Sequence, residues 1–121
     1  MDTQRFEELV AKAVDELPAE ISEYLDNVDI VVEDLPTPGQ LRKSRTGRGY
    51  TLLGLYEGVP HTSRGSHYGM VVPDKITIFR KSIEAQCRND NEIVREIGQV
   101  VRHEIAHHFG ISDARLKEFG Y

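Results

Sequence analysis

The sequence predicts an α+β fold with one small mixed sheet, and three observations carry that expectation. An amphipathic run near the N-terminus has helical period, three short segments in the middle have strand character, and a long capped helix comes last.

The elements follow in order. Phe6, Leu9, Val10, Ala13, Val14 and Leu17 recur at i, i+3, i+4 and i+7, and Pro18 ends the run. A short second helix is expected over 18–24, with the proline in its first turn. Val28, Ile30 and Val32 alternate with Asp29, Val31 and Glu33, a strand pattern. The stretch from Leu35 to Tyr50 carries Pro36, Pro38, Gly39, Gly47 and Gly49 and reads mostly as loop. It also holds Arg42, Lys43, Arg45 and Arg48, the one basic cluster along the chain. Thr51 to Tyr56 and Lys75 to Arg80 are two further strands, the latter with Ile76 and Ile78 on one face. His61 and His67 lie in the loop between them. One or two helical turns are expected over Ser82 to Arg88, stacking Ile83 on Cys87. The long helix runs from about Asn91 to His108. Asn89 with Glu92 resembles a capping box at its start, and Gly110 suits a left-handed residue at its end.

The chain of 121 residues is expected to form one domain over 1–121. Fifteen Lys and Arg against twenty Asp and Glu leave a formal charge of −5, which argues against nucleic acid or an anionic membrane as partner. Apolar runs such as Ile30-Val31-Val32 are short beside the roughly 20 residues of a membrane helix. The opening Met1-Asp2-Thr3-Gln4-Arg5 has neither the basic start nor the apolar stretch of a secretory signal, so a cytoplasmic location is expected. A single cysteine, Cys87, excludes an internal disulfide and a multi-cysteine zinc site; it reads as a small core residue, with thiolate ligation a minor alternative.

The chemistry concentrates in His103-Glu104-Ile105-Ala106-His107, the H-E-x-x-H pattern, which this composition would produce by chance about 0.02 times. On a helix, residues four apart share a face, so two imidazoles converge on one ion, and the glutamate stands beside it. On a helical wheel, Ile93, Val94, Ile97, Val101 and Ile105 form the buried stripe. His103 and His107 share its flank with Glu96 and Val100, where a cleft is expected. Glu104 falls between flank and core, where partial desolvation would lift its pKa. His108 projects into the apolar stripe and reads as a core histidine. A catalytic zinc needs a third protein ligand and an open position for water. Gly110 allows a sharp turn after the helix, which would bring Asp113 back toward the metal. The run H-E-x-x-H-x-x-G-x-x-D differs from the metzincin pattern in its last residue, Asp for His. Ligation is the favoured role for Asp113; the alternative is that Ser112 or Asp113 caps a short helix over 114–119, and the two roles are compatible.

The run His103 to Leu116, HEIAHHFGISDARL, resembles the signature of the minimal zincin-like family of short bacterial metallopeptidases, and the likeness extends over nearly the whole chain. The resemblance implies a reduced zincin-like fold: a small mixed β-sheet packed against an active-site helix and an N-terminal helix. It implies one Zn²⁺ held by His103, His107 and Asp113, with Glu104 as general base. The function expected is a zinc-dependent metallohydrolase, a peptidase acting through activated water on a peptide or protein substrate. The alternative is a non-catalytic zinc-binding or protein-interaction module of the same fold. A structural zinc site usually closes with four ligands and has no use for Glu104, which favours the enzyme. His67, Tyr68, Arg115 and Tyr121 are all open as oxyanion donors, and His61 and His67 read as surface residues. The basic loop Arg42–Arg48 reads as solvated, with an anion contact as the alternative. The sequence leaves substrate and oligomeric state open.

Overall fold

In the computed structural model, which describes residues 1–44, 52–58 and 72–118, the first helix starts where a cap is available. The Asp2 carboxylate accepts the Arg5 N–H at 2.7 Å, and α1 runs Thr3–Asp15 with Phe6, Leu9, Val10 and Ala13 buried. α2 (Ala19–Ser22) follows Pro18 and tightens into a 3₁₀ turn over Glu23–Leu25. Asn27, with φ of 59°, then turns the chain into β1, Val28–Glu33.

The expected loop over 35–50 contains a helix, α3 (Pro38–Ser44). Its start is a reciprocal cap: the Gln40 N–H reaches Thr37 Oγ1 at 3.1 Å while the Thr37 N–H reaches Gln40 Oε1 at 2.9 Å. Pro38 fits the first helical position, whose N–H would be unpaired anyway. Thus Pro38 and Gly39, read as loop punctuation, open a helix. Of the basic cluster, Arg42 and Lys43 lie on α3, and Arg45 and Arg48 fall outside the described residues.

β2 (Gly54–Glu57) and β3 (Asp74–Phe79) complete a three-stranded sheet of order β1-β3-β2. β1 runs parallel to β3, pairing Val28 with Asp74 through Glu33 with Phe79. β2 runs antiparallel, pairing Gly54 with Ile78 and Tyr56 with Ile76. Sandwiched between two partners, β3 buries Ile76, Thr77, Ile78 and Phe79. The strand expected over 51–56 thus starts later, at Gly54, and the helical turn expected over Ser82–Arg88 starts earlier, as α4 (Arg80–Glu84) directly after β3. Ile83 is buried there, and Cys87 packs partly buried against the core.

α5 spans Asp90–Phe109 and is capped at both ends as the sequence suggests. Asn89 accepts the Glu92 N–H at 2.9 Å, and Gly110, at φ 68°, takes the left-handed turn that lets the Ile111 N–H reach the Ala106 carbonyl at 2.9 Å. α6 (Asp113–Glu118) follows. The buried stripe Ile93, Val94, Ile97, Val101 and Ile105 meets Phe6, Leu9 and Val10 of α1 on one side and Ile76 and Ile78 of β3 on the other. Each such side chain contributes roughly 1.5–3 kcal/mol on burial. The Arg5–Asp90 ion pair between α1 and α5, at 2.7 Å, is exposed and screened by solvent and adds little. Burial therefore sets the position of α5. No helix among the described residues is long and apolar enough to cross a membrane.

Gly54 fixes how close β2 comes to α5. A Cβ there would overlap Val100 Cγ1 and stand 3.1 Å from the Thr77 carbonyl oxygen. Gly54→Ala is expected to cost about 1–3 kcal/mol by overpacking, measured by urea denaturation. In a Val100→Ala background the cost should shrink. Strict additivity of the two changes would contradict the close packing.

Candidate metal centre

Three consecutive constraints place the centre. The Asn89 cap sets where α5 begins, the apolar stripe sets which face is inward, and Gly54 sets the distance to β2. Near its C-terminal end, α5 then presents His103 and His107 exposed and Glu104 half-buried.

β2 packs onto this flank. Val100 is buried in the notch at Gly54 and still borders the cleft expected there, a cavity it lines together with Glu96 and His103. One turn on, Glu104 meets the outer edge of β2, and its Oε1 accepts the Tyr56 N–H at 2.8 Å. An edge strand carries backbone donors with no strand to pair with, and here a carboxylate takes one. Tyr56 is itself held by its hydroxyl, which donates to Asp74 Oδ2 at 2.6 Å. Its ring stacks on His108 at 3.9 Å between centroids and 18° between planes. His108 is therefore not the core histidine expected: it is exposed. It lies in the last turn of α5, where the aromatic surface of Tyr56 and Phe109 stands in place of a core.

Burial pushes the Glu104 carboxyl above its ordinary value, against the Tyr56 N–H and the charges of His107 and His103, which pull it down. Glu104 borders a cavity of about 400 Å³ with His107, walled by Leu52, Leu55 and Tyr56 and flanked by Lys43. It also lines a second, of about 250 Å³, with His103.

Asp113 shares a third cavity, of about 280 Å³, with His103. The capping role falls to its neighbour: Ser112 Oγ accepts the Arg115 N–H at 3.1 Å and the Ser112 carbonyl accepts the Leu116 N–H at 3.0 Å. Asp113 is the first residue of α6 and exposed. The donor set, two imidazoles and a carboxylate, is one zinc accepts. Among the described residues, however, no three His, Cys, Asp or Glu side chains stand together as a metal-holding group. The structure brings His103 and His107 to one flank and Asp113 to its end, without gathering the three into a ligating position.

Cys87 stands apart, near Glu92 and Glu96 in the first half of α5. Burial, then the charges of Glu96 and Glu92, push its thiol up, which disfavours the thiolate a zinc ion needs. His61, His67, Tyr68 and Tyr121 lie outside the described residues, and Arg115 faces Glu118 on α6. Sequence reasoning missed Tyr56, because its contribution is a backbone N–H with no signature in residue type. It also missed Leu52 and Leu55, whose strand was visible but not its neighbour.

A family model described as zincin-like metallopeptidase matches residues 25–121. A solved structure described as a conserved hypothetical protein from Thermo thermophilus is similar at a TM-score of 0.55 and 24% identity. The alignment covers 90% of this chain and 94% of that one. At that identity the likeness concerns the fold. No curated protein matches.

Two measurements check this geometry. Ser112→Ala should destabilise α6 by about 1 kcal/mol in amide exchange, whereas Asp113→Ala should leave that exchange nearly unchanged. Equal losses would return Asp113 to the cap. Iodoacetamide should alkylate Cys87 in the folded protein more slowly at pH 8 than in the urea-unfolded chain, because a raised pKa leaves less thiolate. Equal rates would contradict the shielding.

Proposed function

The chain belongs to the zincin-like metallopeptidase family, and from that premise we propose that it is a zinc-dependent hydrolase of peptide bonds. His103, His107 and Asp113 hold one zinc ion, and Glu104 is the general base. The observation that carries this reading is the tethering of Glu104 to the edge of β2, between two histidines and beside an open cavity.

Bound zinc supplies a Lewis acid that polarises a carbonyl and brings the pKa of water to about 7. The rest is the work of this chain's own groups. Glu104 Oε1 is occupied by the Tyr56 N–H, which orients the carboxylate and leaves Oε2 to take a proton from the attacking water. Burial makes that oxygen a stronger base than a solvated carboxylate. The same oxygen then returns the proton to the leaving amine nitrogen, so that water and peptide give one acid and one amine. Leu52, Leu55 and Tyr56 offer an apolar wall for a substrate side chain.

A non-catalytic zinc-binding module is the second reading.

Metal analysis combined with cleavage of a peptide library, read by mass spectrometry, separates the two. Wild type should hold one zinc and cleave. Glu104→Gln should keep the zinc and the Tyr56 contact while losing about 10²–10⁴-fold in turnover. Zinc without cleavage in either protein would establish the second reading, and no zinc at neutral pH would exclude both. Asp113→Ala should weaken zinc binding by more than the roughly 10–100-fold typical of losing an outer-shell partner. Unchanged affinity would remove Asp113 from the ligand set.

A further inference from the structure

A further cavity, of about 410 Å³, lies between α1 and α5 on the flank of α5 away from His107. We propose that it binds a small phosphate monoester with an apolar body, independently of the metal centre.

Its floor is apolar: Ala13 and Val94 are buried, and Leu17 packs partly buried against the core. Its rim carries Lys12 from α1 and Arg95 and Arg102 from α5 against one carboxylate, Glu16. Arg95, Gly98 and Arg102 fall at i, i+3 and i+7, so the two guanidinium groups flank the glycine along one helix face. This concentration of positive charge stands on a chain whose formal charge is −5. Arg5 is paired with Glu8 and Asp90, and Arg80 with Asp34 and Glu84. Lys12 and Arg95 form no ion pair among the described residues, although Glu16 lines the same cavity.

Gly98 points to the same use. A glycine inside a helix is destabilising relative to alanine, and close packing is the usual reason to keep one. Here a Cβ at Gly98 would meet nothing within 4 Å, so no helix contact requires the glycine. What it provides is room above the floor, between the cations. The planar guanidinium fork matches phosphate oxygens two at a time, and the cavity's size is that of small-ligand sites. Because Arg102 also borders the cavity of His103 and Asp113, an occupant would sit one residue from the metal centre.

The test titrates phenyl phosphate into the full chain and follows backbone amides by NMR, with inorganic phosphate and benzyl alcohol as separate arms. Saturable shifts are expected at Lys12, Arg95 and Gly98 with phenyl phosphate, and at least about tenfold weaker binding of either half alone. Arg95→Gln should weaken phenyl phosphate about tenfold or more, as expected for a lost charge-assisted hydrogen bond. Gly98→Leu should abolish binding, and Gly98→Ala should raise the melting temperature by a few degrees, which shows that filling this space leaves the fold intact. The proposal is overturned by no saturation with phenyl phosphate, by affinity indifferent to Arg95→Gln and Gly98→Leu, or by inorganic phosphate binding as tightly as phenyl phosphate. Benzyl alcohol binding as tightly would likewise overturn it, leaving an apolar patch without anion recognition.

Discussion

The contact between α5 and β2 is the constraint on which the rest of this structure depends. A glycine at position 54 lets the strand approach until Val100 fills the notch, and one turn further on Glu104 takes the Tyr56 N–H. Were β2 held farther away, Glu104 would be solvated, and its carboxyl would lose the burial that pushes it up. The same contact satisfies a donor on an exposed strand edge, so one hydrogen bond serves both the sheet and the candidate centre. Hydrophobic burial positions the helix against β3, while this polar contact sets the orientation of the side chain that does the proposed chemistry.

Much of the scaffold was legible in the sequence because local physics decides it. The spacing of Phe6, Leu9, Val10 and Ala13 specifies one buried helix face, and Ile93, Val94, Ile97, Val101 and Ile105 specify another. Asn89 and Gly110 mark the ends of α5 through chemistry that acts within one turn. H-E-x-x-H is readable for the same reason: the helix alone brings His103 and His107 to one flank.

What the sequence hid is what depends on partners distant along the chain. The wheel knows nothing of other elements, so it placed His108 in the core. β2 reverses that by offering His108 the Tyr56 ring, and it supplies the far wall of the cleft that Val100, Glu96 and His103 border. α3 was hidden for a different reason. Thr37 and Gln40 form a reciprocal cap whose residues were present to be read, but Pro38 and Gly39 between them suggested a loop. The role of Asp113 turned on its neighbour, since Ser112 makes the cap and leaves the carboxylate uncommitted. The cation-rimmed cavity joins Lys12 to Arg95 and Arg102, which no linear scan of charge would group.

The central claim is that this flank of α5 is a zinc centre built from two imidazoles and an oxygen ligand. X-ray absorption at the zinc edge of the loaded protein tests it most directly. The account predicts two histidine nitrogens and oxygen donors at about 2.0–2.2 Å, with no sulfur. A sulfur shell near about 2.3 Å, or a spectrum without histidine scattering, would contradict it.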